Sequence, residues 1–117
     1  FVGNSPLMLP ALTIGATGCV DGPPGLAPEL WVEIWNRYND GDLRGAQAAQ
    51  DKASEVVSLV YSFGASRALK ALLSERLGVD CGGPRRPALP LTPEERAALL
   101  KKGAELGLTK TVVKSNV

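Results

Sequence analysis

Gly15-Ala16-Thr17-Gly18-Cys19-Val20-Asp21 is the stretch on which the fold turns. Thr17 to Asp21 reads as a short strand, with Cys19 and Val20 at its apolar centre. The rest of the chain reads as helices and connections. A lone strand cannot form a sheet, because its N–H and C=O groups need partners. Either this segment is not a strand, or its partners lie in polypeptide outside these 117 residues.

The residues before it favour the second alternative. Phe1-Val2 is an apolar pair that opens directly onto Gly3-Asn4-Ser5-Pro6, as the end of a strand would. The expectation is a chain that begins inside a longer protein. Ser5-Pro6 reads as an N-cap followed by a proline at N1, where its missing N–H costs nothing. The helix so started is expected to run through Ile14 and stop at Gly15. After the strand, Asp21-Gly22-Pro23-Pro24-Gly25 is expected to be a loop, since two prolines remove donors and glycines allow positive φ.

Downstream the apolar spacing is helical. Pro28 opens a helix to about Asn39, with Leu30, Trp31, Ile34, Trp35 and Tyr38 forming a wide stripe. Asn39-Asp40-Gly41-Asp42 is a turn, and Asp42 can cap the next helix. That long helix, from Leu43 to about Tyr61, has Leu43, Ala46, Ala49, Ala53, Val56, Val57 and Val60 on one face, with Gln50 expected at its margin. Gly64 breaks it, and Ala65 to Leu77 forms another helix with Leu69, Leu72, Leu73 and Leu77 inward. Cys81 to Leu91 is a proline-punctuated extended connection. Thr92-Pro93-Glu94-Glu95 is a capping box, in which Thr92 bonds the N3 amide and Glu95 reaches back. That helix runs to about Leu106 and is closed by Gly107. The tail from Thr109 is expected to fray.

Composition narrows the function classes. Hydrophobic residues make up 44% and charged residues 21%, an ordinary globular balance, and the formal net charge is +1. Neither nucleic acid nor an acidic membrane is an expected partner. No apolar run approaches the ~20 residues that span a bilayer. There is no histidine, and the two cysteines, Cys19 and Cys81, have no CxxC spacing, so a zinc site is not expected; buried free thiols are, with a single disulfide as the alternative. Gly15-Ala16-Thr17-Gly18 lacks the Gly-Lys-Ser/Thr of a phosphate loop and precedes a strand instead of following one.

Several segments, in order, resemble the dihydrodipicolinate synthase/N-acetylneuraminate lyase family. Val2-Gly3-Asn4-Ser5-Pro6, a helix, and then Gly15-Ala16-Thr17-Gly18-Cys19-Val20 are similar to the last two βα units of that family's (β/α)₈ TIM barrel. Gly41-Asp42-Leu43, Lys70-Ala71-Leu72-Leu73, Arg85-Arg86-Pro87-Ala88-Leu89-Pro90-Leu91, and Glu94-Glu95 with Gly107-Leu108 resemble its C-terminal helical extension. The resemblance covers roughly Val2 to Leu108. It implies residues 1–40 as barrel units, 41–108 as the extension and 109–117 as a tail, an α/β fold that is helix-dominated in this chain. A whole barrel needs ~250 residues.

The resemblance also implies chemistry. In that family a lysine amine attacks a 2-oxo acid such as pyruvate, and the protonated imine becomes an electron sink for aldol cleavage, condensation or dehydration. The expected lysine and the proton-relaying tyrosine lie upstream of Phe1, so no catalytic residue is expected within this chain. Lys70 is read as a surface lysine on a helix edge, and Tyr38 and Tyr61 as packing residues. Substrate contacts are expected at the carboxyl ends of the two staves: Gly3, Asn4 and Ser5 after the first, Val20, Asp21 and Gly22 after the second. Gly3 and Val20 are carried over as pocket wall. Ser5, Pro6 and Gly22 stand where the sialic-acid lyases have an acidic pair and a serine for sugar hydroxyls, and Asp21 stands where dihydrodipicolinate synthases usually have serine. Asp21 reads equally as a pocket acid, able to bind a hydroxyl or shift the lysine's pKa, and as a loop-capping aspartate. No cofactor and no metal are expected. The expected partners are a small 2-oxo acid, the remainder of the chain's own barrel, and further copies in a cytoplasmic homotetramer. The competing reading is a stand-alone helical interaction domain with Trp31 and Trp35 at a partner surface.

Overall fold

The computed structural model describes residues 1–109, and the expected pairing of Thr111-Val112-Val113 and most of the tail lie outside them. Among the described residues the elements are a 3₁₀ turn Ser5–Leu7 and six α-helices: α1 Met8–Thr13, α2 Gly22–Leu26, α3 Pro28–Asn39, α4 Leu43–Ser62, α5 Ala65–Leu77 and α6 Pro93–Glu105. The chain divides into two compact units, Phe1–Val60 and a second beginning at Tyr61. No single helix among the described residues is long and apolar enough to cross a membrane.

The stretch around Cys19 is extended and paired, but only once. Val2 and Cys19 form an isolated parallel bridge. Val2 N donates to Gly18 O at 3.0 Å, and Val20 N donates to Val2 O at 2.9 Å. Two parallel staves joined by a helix make a βαβ-type connection. Here that connection is the 3₁₀ turn and α1. Among the described residues no further strand joins the bridge, so helices dominate the fold.

The first unit packs α1, α2 and α3 together, with Met8, Leu9, Leu12, Leu26, Trp31 and Ile34 buried. The sequence suggests a loop from Asp21 to Gly25, and here the structure differs. Gly22–Leu26 is an α-helix with its prolines in the first turn, capped by the Asp21 side chain, which accepts from Gly22 N. First-turn amides have no intrahelical acceptor, so the prolines give up nothing there. The helix after Ser5 is also shorter than expected. Its first turn is 3₁₀, its N-cap is Asn4 and not Ser5, and Asn4 makes no side-chain cap bond. The Asn39–Asp42 turn behaves as read: Asp42 Oδ1 accepts from Gly45 N at 2.9 Å, and Arg37 donates to Oδ2 at 3.0 Å.

In α4, Ala46, Ala53, Val56, Val57 and Val60 are buried, while Leu43 is exposed and Ala49 half-buried. Gln50 is not at the margin: it is only 7% exposed. Tyr61, read as packing, is exposed, whereas Tyr38 is half-buried.

The second unit is centred on α5 against α6. The α5 stripe is rotated from the leucine pattern. Ala68, Ala71 and Leu72 are buried, Leu69 and Leu73 are half-buried, and Leu77 is exposed. Small residues lie at the contact because the helices come close. A Cβ added to Gly103 of α6 would sit 2.6 Å from Leu72 Cδ2. Gly78 ends α5 with φ 67°, the left-handed conformation that favours glycine. Thr92 Oγ1 accepts from Glu95 N at 3.1 Å, half of the expected capping box. The Glu95 carboxylate pairs with Arg67 at 3.1 Å instead of reaching back. Past α6, Leu108 N donates to Gly103 O at 2.8 Å and the Leu108 side chain is buried.

Candidate active-site edge

Because the Val2–Cys19 bridge is parallel, both chains leave it in the same direction. Gly3-Asn4 and Val20-Asp21 therefore emerge side by side at the carboxyl end of the pair. A Cβ on Gly3 would stand 3.8 Å from Val20 O, so the two loops are in contact. Successive residues of an extended chain point to opposite sides. Cys19 faces the helices, lining an apolar groove of about 280 Å³ with Met8, Pro24, Trp31 and Trp35. Val20 takes the other side and is 70% exposed. Of the sites expected from sequence, Gly3, Asn4, Val20 and Gly22 are exposed, Asp21 is half-buried and Ser5 is fully buried.

Asp21 joins the two loops. Its Oδ2 accepts from Ser5 N at 2.9 Å and its Oδ1 accepts from Gly22 N at 2.8 Å. Partial burial pushes the Asp21 carboxyl upward, and the bonds from Ser5 and Gly22 outweigh it, holding the group below the ordinary aspartate range. The Ser5 hydroxyl lies near enough to the carboxylate to favour its charge. Ser5 Oγ is nonetheless a buried oxygen without a well-formed hydrogen bond. Of the two readings of Asp21, capping is the one the bonds describe.

The other side of the Ser5 peptide is held from the helices. Ser5 O accepts from Trp31 Nε1 at 3.1 Å and from Gln50 Nε2 at 3.3 Å. Gln50 Oε1 accepts from Leu9 N at 2.9 Å. This use of Gln50 was missed from sequence. The signal available was a lone amide next to a stripe of alanines and valines.

The remaining candidates are accounted for by local contacts. Both cysteines are free and half-buried, not buried as expected. Burial first, and then the Asp21 charge, pushes the Cys19 thiol up. Lys70 Nζ donates to Gly83 O at 2.9 Å. Among the described residues no three His, Cys, Asp or Glu side chains are grouped to hold a metal.

A single parallel bridge with both following loops at one end, backed by helices, has the form expected of one edge of an α/β barrel. The comparisons agree. The sequence profile of the Dihydrodipicolinate synthetase family matches residues 1–104. An uncharacterized DapA-like lyase of Halobacterium salinarum is 36% identical over 106 residues, 91% of this chain and 34% of its own length. A 2-dehydro-3-deoxy-D-gluconate/2-dehydro-3-deoxy-phosphogluconate aldolase of Thermoproteus tenax is 30% identical over 110 residues, 91% of this chain and 36% of its length. Among solved structures, the N-acetylneuraminate lyase of Proteus mirabilis, a TIM-barrel enzyme, superimposes with a TM-score of 0.82 at 29% identity. It covers 91% of this chain and 36% of its own.

This chain belongs to the dihydrodipicolinate synthetase family, whose members are lyases and aldolases. It spans about a third of the length of these relatives. The comparisons favour the lyase reading over the stand-alone interaction domain.

Proposed function

We propose that this chain is the C-terminal part of a Schiff-base-forming lyase, aldolase or dehydratase acting on a 2-oxo acid of the pyruvate type. One observation carries the reading: in a chain of this family, the Val2–Cys19 parallel bridge brings Gly3 and Val20 together at the end of the staves where barrel enzymes bind substrate. Gly3, Asn4 and Val20 then form pocket wall. Asp21 and Gly22 hold the adjoining loop, and Ser5 anchors the first loop from below.

The chemistry would be supplied by a lysine outside these residues. Its amine nitrogen bonds to the oxo carbon, the oxo oxygen leaves as water, and the protonated C=N accepts the electron pair when the adjacent bond breaks or forms. Such a lysine must be desolvated or placed near other charge to attack at neutral pH. The remainder of the barrel is a partner in this reading, and assembly into a homotetramer in the cytoplasm belongs to it as well.

The test is covalent trapping. The protein expressed from its complete reading frame, incubated with pyruvate and borohydride, is expected to gain the mass of one reduced pyruvate imine. Peptide mapping is expected to place the label on a lysine outside Phe1–Val117. No adduct, or an adduct on Lys70, would overturn the proposal.

A further inference from the structure

We propose that Gln50 is a positioning residue: from the middle of α4 it sets the Ser5 peptide, and through it the Gly3-Asn4 turn that forms the substrate-facing edge. The inference rests on the reading of Gly3-Asn4 as that edge.

Gln50 works with both ends of its amide. Oε1 takes the Leu9 amide at 2.9 Å across 41 residues of sequence. A first-turn amide of a helix has no intrahelical acceptor and is usually capped by a nearby side chain. Neither Asn4, the N-cap of the 3₁₀ turn, nor Leu7, the N-cap of α1, supplies a side-chain cap. Gln50 takes that place from a distant helix. Its Nε2 faces Ser5 O at 3.3 Å and Ser54 Oγ, also at 3.3 Å. The orientation of the amide is fixed by chemistry: a flip would set Nε2 against the Leu9 N–H and Oε1 against the Ser5 carbonyl, donor on donor and acceptor on acceptor.

Ser5 is thus fixed on both faces. Its N–H goes to Asp21, and its carbonyl accepts from Trp31 and Gln50. The residue is fully buried, while Gly3 and Asn4 just before it are exposed. A turn tied at one side to the stave bridge at Val2 and at the other to this three-sided anchor has little freedom left. Gln50 sits among buried Ala46, Ala53 and Val57, where an apolar side chain of similar size would pack without the cost of burying an amide. An amide at that position gives up packing stability and gains a fixed backbone geometry at Ser5.

The experiment uses the protein from its complete reading frame, with two variants. Gln50→Glu keeps the shape and the acceptor for Leu9 but points a carboxylate oxygen at Ser5 O. Without that donor its turnover of the 2-oxo acid is expected to fall roughly ten- to hundredfold at neutral pH, and protonation of the carboxylate restores the donor. It is expected to recover on acidification, an arm that the wild-type pH profile lacks. Gln50→Met keeps apolar volume and loses both bonds. It is expected to remain folded, to raise KM at all pH values, and to lose hydrogen-exchange protection at the Leu9 amide. A role in stability alone would lower Tm and leave the pH profile of the folded variant unchanged, and that result would overturn the proposal. So would wild-type KM and wild-type Leu9 protection in Gln50→Met. If the wild-type protein forms no pyruvate imine, the lyase reading fails by itself. Leu9 protection together with the resonance of the Trp31 indole N–H then still decides whether Gln50 holds the turn.

Discussion

The amide of Ser5 donates to Asp21 Oδ2 at 2.9 Å, so that residues sixteen apart in sequence tie one stave's loop to the other's. A second bond, from Gly22 N to Oδ1, makes the same carboxylate the cap of α2.

Asp21→Asn keeps one acceptor oxygen and loses the other, and is expected to lower stability by about 1 kcal/mol, the usual worth of one hydrogen bond. The pH dependence has a definite sign. The folded carboxyl lies below its ordinary range, so its stabilisation is fully present above that range and is lost as pH falls through the folded value. Thermal melts of the wild type in acid should show that loss, and the asparagine variant should lack it. Parallel curves for the two proteins would contradict this account of Asp21.

Cys19 should react slowly. Its thiol is raised by burial and then by Asp21, so less thiolate is present at a given pH. In a Cys81→Ser background, alkylation at mildly alkaline pH is expected to be slower than for a free thiol of ordinary pKa. Adding Asp21→Asn should speed it, because one cause of the shift is removed. An unchanged rate would show that burial alone controls the thiol.

Thr92→Ala removes the acceptor for Glu95 N at the start of α6. A cost of about 1 kcal/mol is expected, readable as a lower denaturation midpoint in urea. The Arg67–Glu95 pair is partly exposed on both sides, and Arg67→Gln should cost less than the cap.

Gly103→Ala tests the closeness of α5 and α6. The added methyl would stand 2.6 Å from Leu72 Cδ2, and Leu72 is fully buried. Overpacking costs about 1–3 kcal/mol, against a gain of about 0.5–1 kcal/mol from replacing a helical glycine. Net destabilisation is expected, and Leu72→Val in the same chain should relieve part of it. A stabilised Gly103→Ala would mean that the Leu72 methyl can turn aside at little cost.

Much of the helix plan was legible in the sequence, for local reasons. Pro28 and Asn39 bound α3 as read, and Leu43, Gly64 and Thr92 mark helix ends as expected. Capping, proline placement and apolar spacing act within a few residues, so the sequence displays them directly. Two prolines suggest a break where α2 stands, but the first turn of a helix has no amide bond for them to break. The leucine spacing of α5 points to Leu69, Leu72, Leu73 and Leu77 as its inward face, whereas Ala68, Ala71 and Leu72 are the residues buried. Close helix packing selects Ala68, Ala71 and Gly103, and turns Leu77 out to solvent.

The sequence alone is enough to bound α3, α4, α5 and α6, to show that the Cys19 segment needs a partner strand, and to show an order of motifs that resembles one enzyme family. Only the tertiary structure decided that Val2 is that partner, that Asp21 faces Ser5, and that Gln50 turns inward to hold Ser5 and Leu9. The reason is distance along the chain. A cap or a stripe is set by neighbours three or four residues away. The Ser5 anchor depends on groups sixteen, twenty-six and forty-five residues apart, which meet only when α3 and α4 each reach the Ser5 peptide.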